Sequence, residues 1–127
     1  MVVNYGMGNI KSVIRGIEQV GSTAIFSDNP DDIRKADRVI LPGVGAFKDG
    51  MQELHQRELA PALKDFINTE RPLLGICLGM QMLFDQSDEH GKHIGLGFIP
   101  GRVVKIPQDK SSTVKRKIPH IGWSALL

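Results

Sequence analysis

The one cysteine of the chain stands between two glycines, in the segment Gly75-Ile76-Cys77-Leu78-Gly79. The apolar run before it, residues 72–76, predicts a short buried strand, and the run after it, residues 78–84, predicts a buried helix. A nucleophile at a turn from strand to helix, with small residues two positions away, is the nucleophile-elbow arrangement. Free N–H groups at the helix start would favour the reactive thiolate. The pattern therefore predicts Cys77 as a nucleophile, with a buried structural cysteine as the alternative.

A second segment that could do chemistry is Pro42-Gly43-Val44-Gly45, which follows an apolar run. Glycine allows close approach and unusual dihedral angles, so this loop can present backbone N–H groups to a ligand. Beside a cysteine nucleophile such groups suit an oxyanion hole, whereas the loop alone would be read as a plain turn. The pair Gly6 and Gly8 does not make a dinucleotide-binding motif, because Lys11 stands where its third glycine would be.

Short apolar runs alternate with helical patterns along most of the chain. Strands are predicted at residues 1–4, 23–26, 38–41 and 72–76. Helices are indicated by apolar residues three or four apart or by start signals: Ile10, Val13, Ile14 and Ile17; Asn29-Pro30-Asp31-Asp32; Phe47, Met51 and Leu54; and Leu59, Leu63, Phe66 and Ile67. This alternation predicts an α/β fold, with a mostly parallel, flavodoxin-like sheet covered on both faces by helices.

Three loops follow strands of this predicted sheet: residues 5–9, residues 42–45 and the turn at Cys77. Active sites of parallel sheets lie beyond the carboxyl ends of the strands. We therefore expect these loops to converge on one site. Beyond Ser87 the pattern changes: residues 91–101 are rich in glycine and turn-like, and short antiparallel strands are predicted at 102–106 and 118–126.

The composition limits the classes of protein to be considered. The 127 residues suit one domain, and 41% hydrophobic with 24% charged residues is ordinary for a globular protein. The net charge of +2 is too small to indicate nucleic-acid binding. A lone cysteine fits a reducing compartment, and neither a membrane-spanning run nor a leader is found. We expect a cytoplasmic protein that binds neither nucleic acid nor membrane and carries no metal and no cofactor.

Four motifs occur in one order along the chain: Tyr5-Gly6-Met7-Gly8-Asn9, Leu41-Pro42-Gly43-Val44-Gly45-Ala46-Phe47, Gly75-Ile76-Cys77-Leu78-Gly79-Met80-Gln81 and Pro119-His120-Ile121-Gly122-Trp123. The second and third resemble class I glutamine amidotransferases. The first and fourth narrow the resemblance to the glutaminase subunits of imidazole glycerol phosphate synthases. The resemblance extends from Met1 to about Trp123.

The resemblance implies a mechanism. Cys77 would attack the side-chain amide of glutamine, form a glutamyl thioester and release ammonia, and water would then release glutamate. Backbone N–H groups of Gly43, Val44 and Leu78 would form the oxyanion hole. Gly45 and Gln81 would help to bind the substrate.

The resemblance also implies a partner. Ammonia would pass to a (β/α)8-barrel synthase or cyclase subunit, which would use it to make imidazole glycerol phosphate in histidine biosynthesis. Met7, Asn9, His120 and Trp123 would lie in the interface with that subunit. Trp123, the only tryptophan, would be an interface anchor, with a core position in a late strand as the alternative.

The sequence departs from the family pattern in two places. Asn4 stands where the family more often has aspartate. The catalytic His-x-Glu pair of the family is not found, because none of His55, His90, His93 and His120 has Glu two positions later. We therefore expect residues 1–127 to be the N-terminal portion of a single amidotransferase domain, inactive alone. Two alternatives stay open: a paralogue that supplies a surface-sugar synthase, and a non-catalytic binding subunit on the same scaffold.

Overall fold

The computed structural model describes residues 1–107 and 122. Apart from Gly122, the strand predicted at 118–126, with His120 and Trp123, lies outside the described residues. The elements in chain order are β1 (Val2–Val3), α1 (Ile10–Gln19), β2 (Phe26–Ser27), α2 (Pro30–Lys35), β3 (Val39–Leu41), α3 (Phe47–Gln56), α4 (Leu59–Ile67), β4 (Leu73–Gly75), α5 (Leu78–Met82), β5 (Phe84–Ser87), β6 (His93–Ile94) and β7 (Ile99–Val103).

The main sheet has four parallel strands in the order β2-β1-β3-β4. At least one helix connects each strand to the next in sequence, so the predicted α/β class is confirmed. The order is that of the first four strands of a flavodoxin-like sheet. Leu41 of β3 lies opposite Gly75 of β4. That register places the loop after β3 beside the turn that contains Cys77.

The helix starts agree with the sequence signals. The Asn29 side chain accepts a hydrogen bond from the Asp31 N–H at 2.9 Å, and Pro30 occupies the first helical position of α2. Asn9 caps α1 in the same way, accepting from the Ser12 N–H at 3.3 Å. Each cap satisfies an N–H group that has no partner within its own helix.

The apolar faces predicted for α3 and α4 form most of the core. Phe47, Leu54, Leu59, Leu63 and Phe66 are fully buried. They share one cluster with the buried residues of β3 and α5: Val39, Leu41, Leu78 and Met82. Burial of each such side chain contributes about 1.5–3 kcal/mol to stability. This cluster packs the carboxyl end of β3 against the start of α5.

The opposite face of the sheet differs from the prediction. There α1 lies over Ile40, but its own apolar residues are only half-buried, and Leu74 of β4 is 56% exposed. The strand predicted at 72–76 is therefore present as β4, but the prediction that it is buried is wrong. The reason is that β4 is the edge strand of the described sheet, and α1 alone among the described helices covers this face.

Three other boundaries also differ. The helix predicted to Phe84 ends at Met82, because the Met82 and Leu83 carbonyls accept hydrogen bonds from the Leu96 and Phe98 N–H groups, both at 2.8 Å. The strand predicted at 102–106 is β7, which begins at Ile99 and runs parallel to β5, whereas β6 pairs antiparallel with β5. The strand predicted at 23–26 is β2 and begins at Phe26. The strands β5, β6 and β7 form a small mixed sheet beside the main one, to which β2 belongs.

No helix in the described ranges combines the length and the apolar character that crossing a membrane requires.

Candidate functional site

Cys77 occupies the turn between β4 and α5. Its backbone has φ 55° and ψ −116°, which a residue with a side chain rarely adopts. Such a conformation costs on the order of 1–3 kcal/mol and persists only where the surroundings impose it. The side chain is exposed to solvent. The geometry is therefore that of the predicted elbow: a strained residue that holds its thiol above the end of the sheet.

Close packing requires glycine at the two positions that lie two residues before and two residues after Cys77. A Cβ on Gly79 would overlap the backbone carbonyl oxygen of Leu41, and a Cβ on Gly75 would lie 2.5 Å from the Cα of Met80. In both cases the obstacle is backbone, which cannot rotate away as a side chain can. The spacing of small residues thus lets α5 approach both β3 and β4, and this approach fixes the turn at Cys77.

The loop 42–45 packs directly against the start of α5. A Cβ on Gly43 would lie 2.8 Å from the Gly79 nitrogen, and Gly45 has φ 101°, a conformation that favours glycine. Among the described residues, no acceptor is found for the N–H groups of Gly43, Val44, Gly45 or Leu78. These are the donors that an oxyanion could use.

The loop 5–9 meets the other two segments. The Cβ position of Gly45 is 2.9 Å from the Met7 Cε atom, and that of Gly8 is 3.4 Å from the Pro42 Cγ atom. The direction of winding of the sheet reverses between β1 and β3, whose following loops these are. Ligands of open α/β sheets bind in the crevice at such a reversal.

A groove of about 520 Å³ opens at this place, between α1 and the exposed face of β3 and β4. Cys77, Gly43, Val44 and Asn9 line it together with mainly apolar neighbours. A larger cavity of about 690 Å³ lies at the amino ends of the strands, around Met1, Ala36 and Arg38. It contains none of the candidate residues. The chemistry of the side chains, and not the size of the cavity, therefore selects the groove at Cys77.

The remaining candidates have different surroundings. Gln81 lies one turn into α5, where its N–H donates to the Cys77 carbonyl at 3.0 Å, and its side chain is half-buried. Val44 is 53% exposed, and Met7 is half-buried against Gly45. His120 and Trp123 belong to the part of the chain that the structure does not describe.

Two residues near the site have contacts that the sequence patterns do not indicate. The Tyr5 hydroxyl donates to the Pro42 carbonyl at 2.8 Å, and the Glu89 carboxylate accepts from the Phe47 N–H at 2.7 Å at the start of α3. Tyr5 stands within the first motif, but nothing in its spacing indicates a role. Glu89 lies 42 residues after its partner, and no local pattern indicates so distant a pairing.

The histidines of the described residues lie elsewhere. His55 is in α3, His93 is in β6 and His90 is in the turn between β5 and β6. None of these three lines the groove. Within residues 1–107, therefore, the thiol has no histidine beside it to accept its proton.

Comparison with known proteins identifies the family. The model of the glutamine amidotransferase class-I family matches residues 1–127. The chain belongs to this family. The match spans the elbow at Cys77, the loop 42–45 and the loop 5–9, which come together in the structure.

Three similar curated proteins share one name. The imidazole glycerol phosphate synthase subunit HisH of Bacillus licheniformis is 45% identical over 125 residues, which are 98% of this chain and 59% of the relative. The subunit of the same name from Geobacillus sp. is 46% identical, over 99% of this chain and 60% of the relative. That from Bacillus subtilis is 43% identical, over 98% and 59%. The chain thus spans about three fifths of the length of these relatives.

Proposed function

We propose that this amidotransferase chain carries the nucleophile of a glutaminase that hydrolyses glutamine to glutamate and ammonia. The observation that carries the proposal is the strained turn at Cys77, which holds an exposed thiol beside a loop whose N–H groups have no acceptor within the described part of the chain. The match to the glutamine amidotransferase class-I family points to the same chemistry. Residues 1–127 are then the N-terminal portion of a single amidotransferase domain.

In the proposed reaction the Cys77 thiolate attacks the side-chain amide carbon of glutamine. A bond forms between sulfur and carbon, and the carbonyl oxygen becomes an oxyanion that accepts hydrogen bonds from Gly43, Val44 and Leu78 N–H groups. Protonation of the nitrogen expels ammonia as the carbon–nitrogen bond breaks. Water then attacks the thioester, which releases glutamate and restores the thiol. Gln81 helps to hold the amino-acid end of the substrate, and Gly45 also contributes to substrate binding.

The proposed reaction needs a base that takes the thiol proton and later protonates the leaving ammonia. We place this base, a histidine oriented by a glutamate, outside the described residues. The support is that no histidine of residues 1–107 lines the groove and that no His-x-Glu pair occurs in the sequence.

This placement gives a direct expectation for the chain as it stands. Purified residues 1–127 are expected to show no useful glutaminase turnover, because their rate should lie about 10² to 10⁴ below that of an amidotransferase domain with its histidine base. Glutamate release, followed over hours with excess protein, measures it. Steady release that stops when Cys77 is alkylated would contradict the expectation and make His120 the first base to test by substitution with alanine.

We further propose that the ammonia passes to a (β/α)8-barrel synthase or cyclase subunit that makes imidazole glycerol phosphate in histidine biosynthesis. The names of the relatives support this, as subunits of imidazole glycerol phosphate synthase. Ammonia is protonated in water near neutral pH and is then not nucleophilic, so the partner must cover the site. The proposed interface is therefore the face beyond the carboxyl ends of the strands, with Met7, Asn9, His120 and Trp123.

The interface is tested by the variant Trp123→Ala in the complete product of the reading frame. If Trp123 is an anchor, its truncation costs about 2 kcal/mol, which is roughly a 30-fold loss of affinity for the synthase in calorimetry. Phe26→Ala is the matched control, since Phe26 is an exposed aromatic residue on the edge strand β2 and is not among the proposed interface residues, so it should leave the affinity unchanged. Equal affinity in a folded Trp123→Ala variant would exclude the anchor, and loss of folding would favour a core position.

The function as a whole is tested with the same complete product and the synthase together. Glutamine-dependent formation of imidazole glycerol phosphate is the expected result. Glutamine hydrolysis without that product would favour a paralogue for another synthase, and binding of glutamine without hydrolysis would favour a non-catalytic subunit.

A further inference from the structure

The side chain of Tyr5 is placed beneath the site by β1, which ends two residues earlier. It is fully buried, and its hydroxyl donates a hydrogen bond of 2.8 Å to the carbonyl of Pro42. Tyr5 and Pro42 are 37 positions apart in the chain. The bond therefore connects the loop after β1 with the loop that carries the candidate oxyanion-hole donors.

The hydroxyl lies where this loop touches the start of α5. A Cβ on Gly43 would overlap the Tyr5 hydroxyl oxygen, and it would lie 2.9 Å from the Cβ of Leu78. Gly43 thus contacts both Tyr5 and Leu78, and Leu78 is the residue that follows Cys77 in the sequence. A shift of the hydroxyl would be passed directly to Gly43.

The geometry of the peptide bond explains why this contact matters. The Pro42–Gly43 peptide is planar, and in the trans form its carbonyl and its N–H point in opposite directions. The bond from Tyr5 draws the Pro42 carbonyl into the protein, so the Gly43 N–H is directed away from the core. Among the described residues this N–H has no acceptor, and Gly43 lines the groove at Cys77.

We propose that Tyr5 is a positioning residue, whose hydroxyl sets the orientation of the Pro42–Gly43 peptide and thereby aims the oxyanion-hole N–H of Gly43. This inference rests on the proposed glutaminase function. The phenol suits the role because burial, together with the nearby Cys77, raises the pKa of Tyr5 above its usual value. The hydroxyl therefore stays protonated and remains a donor when the thiolate forms.

The test is Tyr5→Phe in the complete product of the reading frame with its synthase, which removes the hydroxyl and keeps the ring. A misaimed donor weakens binding of the transition state and not of the substrate. We expect kcat for glutamine hydrolysis to fall about 10- to 100-fold with KM changed less than twofold. The rate of Cys77 alkylation by iodoacetamide should be unchanged, since alkylation uses the thiol but no oxyanion hole.

A control variant in the core distinguishes the positioning role of Tyr5 from a purely structural role. Ile33→Val removes a buried methyl group in α2, away from the groove, and should lower the melting temperature with kcat unchanged. Wild-type kcat in Tyr5→Phe, a change confined to KM, or failure of that variant to fold would each overturn the proposal. Absence of hydrolysis by the unaltered protein would instead overturn the proposed function.

Discussion

Replacement of Cys77 by alanine or serine is expected to abolish glutamine hydrolysis by the complete product of the reading frame. Removal of a nucleophile that acts together with a base costs at least about 10⁴-fold in kcat. Synthesis by the partner from added ammonia should be unaffected, because only the supply of ammonia is lost. Glutamate release and ammonia-dependent product formation are the two measurements, and retained hydrolysis in the alanine variant would exclude Cys77 as the nucleophile.

The strained backbone at Cys77 provides a control that tests the structure independently of activity. Cys77→Gly and Cys77→Ala should both be inactive, but they should differ in stability. Glycine adopts a φ of 55° without the steric cost that a Cβ brings, so the glycine variant should be the more stable by about 1 kcal/mol. Chemical denaturation of the two variants measures the difference. A more stable alanine variant would contradict the elbow geometry.

Replacement of Gly79 by alanine is expected to prevent folding at 37 °C. The added methyl group would overlap the Leu41 carbonyl oxygen and lie 2.7 Å from the Leu41 carbonyl carbon, so α5 would have to move away from β3. Overpacking usually costs about 1–3 kcal/mol, and we expect this case to exceed that range because the obstacle is backbone. A loss of that size is a large part of the total stability of a domain.

Gly16→Ala is the matched control for this prediction. Gly16 lies inside α1, and a Cβ there would meet nothing within 4 Å. Alanine should stabilise the helix by about 0.5–1 kcal/mol, since glycine loses more backbone entropy on folding. Circular dichroism and thermal denaturation of both variants give the comparison. A folded Gly79→Ala variant with unchanged melting temperature would contradict the close contact between α5 and β3.

Local signals in the sequence determined the larger part of the fold. The capping asparagines, Asn9 and Asn29, and the apolar spacing from Phe47 to Leu54 act over one or two helical turns. Their effects depend on neighbours in the chain, so the positions of α1, α2 and α3 follow from the residues alone. The elbow at Cys77 is of the same kind, because two glycines at fixed spacing specify a tight turn from strand to helix.

Tertiary structure decided what depends on residues far apart in the chain. Met82 and Leu83 are compatible with a longer helix, but hydrogen bonds from the segment 96–98 end α5 and allow Phe84 to begin a strand. Leu74 stands in an apolar run that is typical of a buried strand, yet it is exposed because β4 is at the edge of the described sheet. Burial and strand pairing are properties of the neighbours that the fold supplies, and local sequence does not contain them.

The candidate site shows the same division. The sequence by itself singled out Cys77 and the glycine loop as candidates, because the chemistry proposed for them depends on residue type and short spacing. Only the tertiary structure showed that the Tyr5 hydroxyl holds the Pro42 carbonyl and that the Glu89 carboxylate meets the Phe47 N–H. Each of these bonds closes a loop of about 40 residues, and such a contact exists only after the sheet has brought its strand ends together.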